Sequence, residues 1–469
     1  MRCLLPPTSL RHALRFRQSL RLRTHSIPSR SLFRAVRSFS TANPQTSPNV
    51  KSYSEEWTSV RVSDEDDGEV FTCDEEPHML KPEQGYGYYP LLLGQQLADG
   101  KLEIVRKLGW AGYSSVWLAR THKNAYPAEY VAVKVLTVNA TAGVLYDKLN
   151  EENSLKAVKK ANPNHPGYKH CLLLHDSFIA QSYHGPHLCF VTDVLGCNMV
   201  ALRGLQANGR SFPVGLAKRI IKQTLLALDY LHRECNLVHT DVKPDNVLVS
   251  VVQTDEAIRR LLEESPSASY EPRIEPELSP DPIITVKSQP LPGPNLADMS
   301  DLSVCLIDYG HSTPVGKIPE SGVQPLLLRA PEVILGHPWS TPIDIWSVGC
   351  LVFEYLIGTA LFRLYESPSQ SISFEDSHLQ RTLEIIGPFP SSFLDACPRR
   401  SEFFDQEGSL IRIKKLSPRP IEDCMRIYNV LNEEDIPAAA AFARRCLTVD
   451  PGARPSALEL LDDEWLRDV

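Results

Sequence analysis

Residues 238–248 decide the fold, and they read Val238-His239-Thr240-Asp241-Val242-Lys243-Pro244-Asp245-Asn246-Val247-Leu248. This polar loop lies between a stretch with helical spacing and an apolar strand. Asp241 offers a carboxylate that can accept a proton from a hydroxyl group, and Asn246 offers an amide oxygen that can bind Mg²⁺ five residues later. Lys243 can hold a phosphate during its transfer. A chance match to the whole string is rare, so the loop predicts a phosphoryl-transfer site.

A second motif follows the loop in the order that such a site requires. In Leu306-Ile307-Asp308-Tyr309-Gly310 an apolar strand ends in an acid and a glycine, which predicts Asp308 as a second Mg²⁺ ligand. The triplet Asp-Tyr-Gly is weak evidence by itself. It gains specificity because Ala330-Pro331-Glu332 follows it.

Upstream of both motifs, a glycine-containing hairpin predicts a lid over the nucleotide phosphates, with backbone N–H groups as donors. The next strand carries Val131-Ala132-Val133-Lys134, and Lys134 can bind the α- and β-phosphates. The acidic partner of this lysine is Glu151 or Glu152, and the apolar residues four and seven positions after Glu151 favour that choice. The lid residues are Leu108, Gly109, Trp110, Ala111, Gly112, Tyr113, Ser114, Ser115 and Val116.

Two further motifs indicate buried scaffolding. Asp344, in Asp344-Ile345-Trp346-Ser347-Val348-Gly349, is expected to hold the backbone of the 238–248 loop. Glu332 is expected to pair with Arg454.

The order of the elements predicts an α+β fold with a small β-rich lobe before a larger helical lobe. Alternating apolar strands begin near Leu102, and helical spacing appears at 143–159, 216–232 and 343–357. The predicted divisions are a basic leader (1–51), an acidic and then Tyr/Gly/Pro-rich lead-in (52–101), an N-lobe with hinge (102–197) and a C-lobe (198–469). Within the C-lobe, residues 251–302 are rich in Pro, Glu and Ser and are predicted to form a mostly disordered insertion, although the first part, Thr254–Glu264, is compatible with a helix.

Charge is distributed unevenly along the chain. The first 51 residues contain ten Arg and Lys and no acid, so the remainder carries −18 of a chain total of −8. An acidic body repels nucleic acid and suits basic partners. The eleven cysteines are scattered without a C-x-x-C pair, and no apolar run is long enough to span a membrane, which predicts a soluble protein in a reducing compartment.

The leader is rich in Arg and Ser and is interleaved with Leu and Phe, the composition of a mitochondrial transit peptide. A disordered basic arm that is never cleaved, or an over-extended gene start, explains it equally well.

With these motifs, residues 104–466 resemble the eukaryotic protein kinases, and within them the SR-protein kinases of the CMGC type, especially divergent fungal members. The marks of this group are Gly109-Trp110, the hinge-like stretch 187–196, His239-Thr240-Asp241 in place of His-Arg-Asp, and an insertion directly after the catalytic loop.

The resemblance implies a bilobal kinase that transfers the γ-phosphate of ATP, with Mg²⁺, to Ser or Thr of Arg/Ser-rich proteins such as splicing factors. ATP is expected between the lobes, against Ala132 and Thr192, with its adenine bound by backbone groups of Asp193–Leu195. Thr240 removes the arginine that usually reads a phosphate on the activation segment, which implies activity without that phosphorylation. The resemblance implies a location in the nucleus or cytoplasm, whereas the composition of the leader indicates mitochondria. We expect a monomer that binds no nucleic acid directly.

Two alternatives compete with this interpretation. An inactive scaffold would keep the fold without turnover, although Lys134, Glu151, Asp241, Asn246 and Asp308 are all present. A small-molecule kinase of the aminoglycoside or choline type would lack the Ala-Pro-Glu segment and the Asp-x-Trp-Ser-x-Gly helix found here.

Overall fold

A six-stranded antiparallel sheet forms the N-terminal lobe, in the order β1-β2-β3-β4-β6-β5. The computed structural model describes residues 75–206, 211–250, 255–274, 276, 281–294, 302–317 and 322–469. Residues 1–74, which include the leader, lie outside this range. The strands are β1 Gln96–Leu97, β2 Leu102–Ala111, β3 Ser114–Thr121, β4 Tyr130–Leu136, β5 Leu174–Ser182 and β6 Gly185–Thr192.

Two helices pack on this sheet, α1 (Val138–Leu145) and α2 (Glu151–Lys160). Acidic residues occupy the first turn of α2 and Lys159 and Lys160 its last turn, which complements the helix dipole. The helical spacing over 143–159 predicted one uninterrupted helix, and this was wrong. The chain turns between the two helices, where Asp147 adopts a positive φ of 56° that no α-helix accommodates.

The C-terminal lobe is mainly helical and is built around α7 (Pro342–Ile357), which is buried along nearly its whole length. A Cβ on Gly349 would lie under 3 Å from Cys446 and Leu447, so only glycine allows this close approach. Gly358, at φ 87°, ends α7. The other helices are α3 Met199–Gly204, α4 Val214–Asp229, α5 Asp255–Glu264, α6 Pro331–Ile334, α8 Phe374–Ile385, α9 Ser391–Asp395, α10 Arg400–Phe403, α11 Ile421–Arg426, α12 Ile436–Cys446 and α13 Ala457–Leu461.

Short strands flank the loops that contain the predicted catalytic motifs. A three-stranded sheet has the order β10-β9-β7, and a two-stranded sheet pairs β11 with β8. These strands are β7 Leu195–Asn198, β8 Leu237–Val238, β9 Val247–Ser250, β10 Val304–Leu306 and β11 Thr313–Pro314. The bilobal α+β prediction is therefore confirmed. Within the described residues, no helix has the length and apolar character needed to cross a membrane.

The insertion differs from the expectation of a mostly disordered tract, because its described parts pack on the N-lobe. Ile258 of α5 is buried against Leu118 and Tyr130. Val286 joins the apolar core beneath the sheet, and the backbone N–H of Gln289 donates to the Lys107 carbonyl at 2.8 Å. Few apolar residues suffice to hold these described parts against the N-lobe, since each enters a core that the N-lobe already provides.

Candidate active site

Asp344 holds the backbone of the 238–248 loop, as expected. Its Oδ2 accepts from the His239 N–H and its Oδ1 accepts from the Thr240 N–H, both at 2.8 Å. Thr240 has a φ of 68°, an unusual value for a β-branched residue, and these two bonds hold it there. Its hydroxyl donates to the His311 carbonyl at 2.9 Å, which ties the loop to the segment after Asp308.

Three side chains of the loop share one network. The Oδ2 of Asp241 accepts from Lys243 Nζ at 2.7 Å and from Asn246 Nδ2 at 2.9 Å. The same Asn246 nitrogen donates to the Asp241 backbone carbonyl at 2.9 Å. Both contacts of Asn246 use its nitrogen, so its carbonyl oxygen is the atom that can bind a cation.

Asp308 lies beside this network because the two backbones are hydrogen-bonded. The Ile307 N–H donates to the Asn246 carbonyl at 2.9 Å, and His239 Nε2 donates to the Ile307 carbonyl at 3.0 Å. Asp308 itself has a left-handed backbone, with φ 66°. Lys243 is near enough to help lower the pKa of Asp308. The two motifs of the sequence therefore meet at one place.

Lys134 reaches the same place from the N-lobe. Its Nζ donates to Glu151 Oε1 at 2.5 Å and to Asp308 Oδ1 at 3.2 Å. Burial alone would lower the pKa of Lys134, but the charges of Asp308 and Glu151 outweigh it and raise the pKa above its usual value. The positive charge of Lys134 in turn holds the pKa of Asp308 well below its usual range. Glu152 instead accepts from Lys156 at 2.7 Å and from Ser177 at 2.8 Å.

Comparison with known proteins agrees with this geometry. A family model described as "Protein kinase domain" matches residues 102–260 and 294–466. The serine/threonine-protein kinase SRPK of Physarum polycephalum is 30% identical over 417 residues, which cover 86% of this chain and 94% of the relative. The chain belongs to the SRPK group of protein kinases.

Other relatives of this kinase cover similar shares of it. Protein kinase dsk1 of Schizosaccharomyces pombe is 29% identical over 82% of this chain and 84% of its own length. SRSF protein kinase 3 of the mouse is 26% identical over 81% of this chain and 88% of its own length. These relatives are named as kinases, so the comparisons give no support to the alternative of an inactive scaffold.

The segment predicted to form the lid is a hairpin whose turn is Gly112-Tyr113. Ala111 pairs with Ser114, and a Cβ on Gly109 or Gly112 would meet no atom within 4 Å, which leaves room for a ligand beside the backbone. The hydroxyl of Tyr88, in the lead-in, lies 2.8 Å from the carbonyls of both Ala111 and Gly112. This contact was not predicted, because the aromatic lead-in lacks a recognisable motif.

The hinge of the kinase follows β6. Ala132 on β4 pairs with Thr192 at the end of β6, and Thr192 is buried. The Asp193 carboxylate contacts His175 Nε2 at 2.7 Å. Leu195 begins β7 and pairs with Ser250, which fixes the hinge to the large lobe.

The activation segment is held by Gln324, a residue that the sequence did not single out. Its Nε2 donates to the Ile343 carbonyl at 2.8 Å and to Ser347 Oγ at 2.9 Å, and its Oε1 accepts from the Ala330 N–H at 2.9 Å. Gln324 has a φ of 65°. The expected pair also forms nearby, with Arg454 donating to Glu332 at 2.7 and 3.0 Å, fully buried.

Proposed function

We propose that this SRPK-type serine/threonine kinase transfers the γ-phosphate of ATP, as its Mg²⁺ complex, to Ser or Thr side chains in basic, Arg/Ser-rich protein segments. The observation that carries the proposal is the convergence of Lys134, Asp308, Asn246 and Asp241, from three separate segments, on one cleft. Positioning and electrostatic stabilisation supply most of the rate gain in phosphoryl transfer, and this arrangement suits both.

Each side chain has a role that follows from its contacts. Asp241 positions the incoming hydroxyl, and Lys243, 2.7 Å from it, stabilises the phosphoryl oxygens. Lys134 orients the α- and β-phosphates, and Glu151 keeps Lys134 in place. The lid backbone covers the phosphates, and Asp193–Leu195 bind the adenine. Thr192 borders the rear of that pocket.

The donor set at the cleft fits Mg²⁺. This ion prefers oxygen ligands and usually keeps only one or two carboxylates from the protein, together with waters and phosphates. The Asp308 carboxylate and the Asn246 carbonyl oxygen would hold it. When bound, Mg²⁺ neutralises the charge of the phosphates. Because the pKa of Asp308 is lowered, its carboxylate stays ionised for a cation throughout the physiological pH range.

The basic substrate class is supported by charge and by the names of the relatives. Residues after the leader carry −18, which attracts basic segments. The mouse relative is named an SRSF protein kinase. A monomeric state and the absence of nucleic-acid binding remain predictions.

The test is phosphate transfer by the purified full-length protein to a peptide library. Arg-Ser repeats, Lys-Ser repeats and neutral Ser peptides are compared with labelled ATP and Mg²⁺. We expect transfer to serine with a preference for Arg-Ser repeats. Equal transfer to neutral peptides would contradict the substrate class, whereas a melting temperature raised by Mg²⁺-ATP without any transfer would indicate an inactive scaffold.

A further inference from the structure

Two consecutive residues of β2, Arg106 and Lys107, place positive charges in the interior of the N-lobe, where they are 2% and 0% exposed. Lys107 is neutralised, because Glu75 and Glu76 both lie within ion-pair distance of its Nζ. Arg106 differs from its neighbour. Among the described residues, no carboxylate lies within ion-pair distance of its guanidinium group. A buried charge without a partner is costly, so Arg106 requires an explanation.

The guanidinium group of Arg106 is directed at the end of helix α5, in the insertion. Its Nη2 donates to the Ser265 carbonyl. Its Nε is buried and donates to no group among the described residues. Burial lowers the pKa of Arg106, and no neighbouring acid opposes this effect. Buried N–H donors rarely lack an acceptor, so the Nε atom indicates a missing anion.

The end of α5 is fixed over Arg106 by contacts with β2. Ile258 of α5 and Val105 of β2 belong to one apolar cluster, and the Ser267 hydroxyl donates to the Val105 carbonyl at 2.7 Å. Ser265 is nevertheless exposed, although its carbonyl contacts the buried guanidinium group. An enzyme can therefore reach the Ser265 side chain from solvent, one residue's width from an unpaired cation.

We propose that Ser265 is a phosphorylation site and that its phosphate pairs with Arg106. In this step Ser265 Oγ forms a bond to the γ-phosphorus of ATP, the bond from that phosphorus to the bridging oxygen of ADP breaks, and ADP and a proton leave. A phosphoserine adds close to two negative charges and three strong acceptor oxygens. Guanidinium groups bind phosphate oxygens in pairs, so the phosphate supplies the acceptor that Nε lacks and neutralises the buried charge.

The residues around Ser265 indicate which enzyme acts and which effect competes. Glu263 and Glu264 precede it and Pro266 follows it, so the segment is unlike the basic substrates proposed for this kinase, and a different protein kinase modifies it. The two glutamates are exposed and repel a phosphate, which raises its second pKa. Arg106 lowers the same pKa. Because the two effects have opposite signs, the pKa of the phosphate shows which one dominates.

The chain contains a matched control for this measurement. Residues 264–267 read Glu-Ser-Pro-Ser, and the same four residues recur at 366–369. There the hydroxyl of Ser367 lies 3.4 Å from Ser369 Oγ, with no buried arginine beside it among the described residues. Genetically encoded phosphoserine is placed at position 265 or 367 of the full-length protein, and phosphorus NMR follows each phosphate through a pH titration.

We expect the second pKa of the phosphate on Ser265 to lie about one pH unit below that of the phosphate on Ser367. This is the low end of the effect of a nearby opposite charge on an ionisable group. Arg106→Gln should reverse the order of the two values, because the glutamates of α5 remain after the cation is removed. A simple change in solvent exposure would not produce such a reversal.

A second variant and a second readout separate this contact from the general charge of α5. Arg260→Gln should keep the lowered pKa, since Arg260 is an exposed residue of the same helix that pairs with Glu256. Phosphate on Ser265 should also slow amide hydrogen exchange in α5 at least about tenfold, the effect expected of one charge-assisted hydrogen bond. Phosphate on Ser367 should leave that exchange unchanged.

Several outcomes would overturn the proposal. They are equal pKa values for the two phosphates, a lowered value that survives in Arg106→Gln, and protection of α5 by free inorganic phosphate that equals the protection by phosphate on Ser265. Absence of phosphate from Ser265 would do the same if mass spectrometry of the protein recovered from its own cells found phosphate on other serines. Melting temperatures show whether Arg106→Gln is folded. If it is not, the exchange rates of α5 in the unchanged sequence, with and without phosphate on Ser265, decide the question.

Discussion

Two lysines of the N-lobe sheet, Lys134 on β4 and Lys107 on β2, each contact two carboxylates among the described residues, but they differ in their exposure to solvent. Lys134 contacts Glu151 and Asp308, and its side chain is 22% exposed towards the cleft. Lys107 contacts Glu75 and Glu76, and its side chain has no exposure at all. The two clusters contain the same chemical groups, so composition does not distinguish them.

The difference shows that solvent exposure, rather than chemical composition, distinguishes the cluster that can bind a ligand. Around Lys134, Asp308 keeps 34% of its side-chain surface exposed, so its carboxylate can bind another cation and Lys134 can bind a phosphate. Around Lys107, Ser288 donates its N–H and its hydroxyl to Glu75, both at 2.6 Å, and the side chains of Glu75 and Glu76 are at most 5% exposed. The Lys107 cluster joins the lead-in, strand β2 and the insertion, and we infer that its role is structural.

The largest effect on activity should follow from removing a charged side chain of the Lys134 cluster. Lys134→Met removes the cation that would bind the phosphates, and Asp308→Asn removes the carboxylate charge that would hold Mg²⁺. For either variant we expect kcat/KM to fall by about 10³-fold or more, with the fold retained. Initial rates and melting temperatures check both expectations. A Lys134→Met protein with undiminished activity would refute the assignment of the site.

The same substitution at the other lysine should affect stability instead. Lys107→Met leaves two buried carboxylates without their cation, a change that costs about 3–5 kcal/mol of unfolding free energy. Urea unfolding measures this loss, and kcat of the remaining folded protein should stay near that of the unchanged enzyme. If Lys107→Met lowered kcat as strongly as Lys134→Met, the distinction between the two clusters would fail.

The sequence predicted the Lys134 cluster and missed the Lys107 cluster for a physical reason. Asp241, Asn246 and Asp308 belong to short motifs whose spacing is dictated by the reaction. Glu75 and Ser288, by contrast, are 213 positions apart and meet only through tertiary packing. The packing of the described parts of the insertion was missed for the same reason, because Ile258 and Val286 enter apolar clusters of the N-lobe that are distant in sequence. The break between α1 and α2 depends on one backbone angle, which hydrophobic spacing does not report.

Protonation of a buried histidine should make the stability of the fold depend on pH in the acid range. Burial lowers the pKa of His187 on β6 to about 4. Its Nδ1 donates to the Leu136 carbonyl at 2.7 Å and its Nε2 lies 2.7 Å from Ser182 Oγ, contacts that the neutral ring satisfies. The unfolded chain binds a proton near pH 6.5, so the stability contributed by this histidine is complete above that pH. It is lost as the pH falls from about 6.5 to 4.

The expected slope from this one residue approaches 1.4 kcal/mol per pH unit within that window. Urea unfolding of the unchanged protein and of His187→Gln at a series of pH values measures it, and the variant should show the shallower dependence. Asp308 should contribute little in the same window, since its lowered pKa keeps it ionised. Parallel pH profiles for the two proteins would contradict the assignment to His187.

The smallest expected effect concerns Tyr88. This residue belongs to the lead-in, which the Lys107 cluster joins to β2, and its hydroxyl contacts the lid. Tyr88→Phe removes the hydroxyl that contacts the Ala111 and Gly112 carbonyls and leaves the buried ring. One hydrogen bond is worth about 0.5–1.5 kcal/mol, so we expect KM for ATP to rise about 2–10-fold with a smaller change in kcat. Tyr89→Phe is the matched control, because Tyr89 lies in the same lead-in and its hydroxyl accepts from Gln95 instead. Steady-state kinetics at varied ATP distinguish the two variants: equal KM values would mean that the lead-in supports the fold of the N-lobe but does not position the lid.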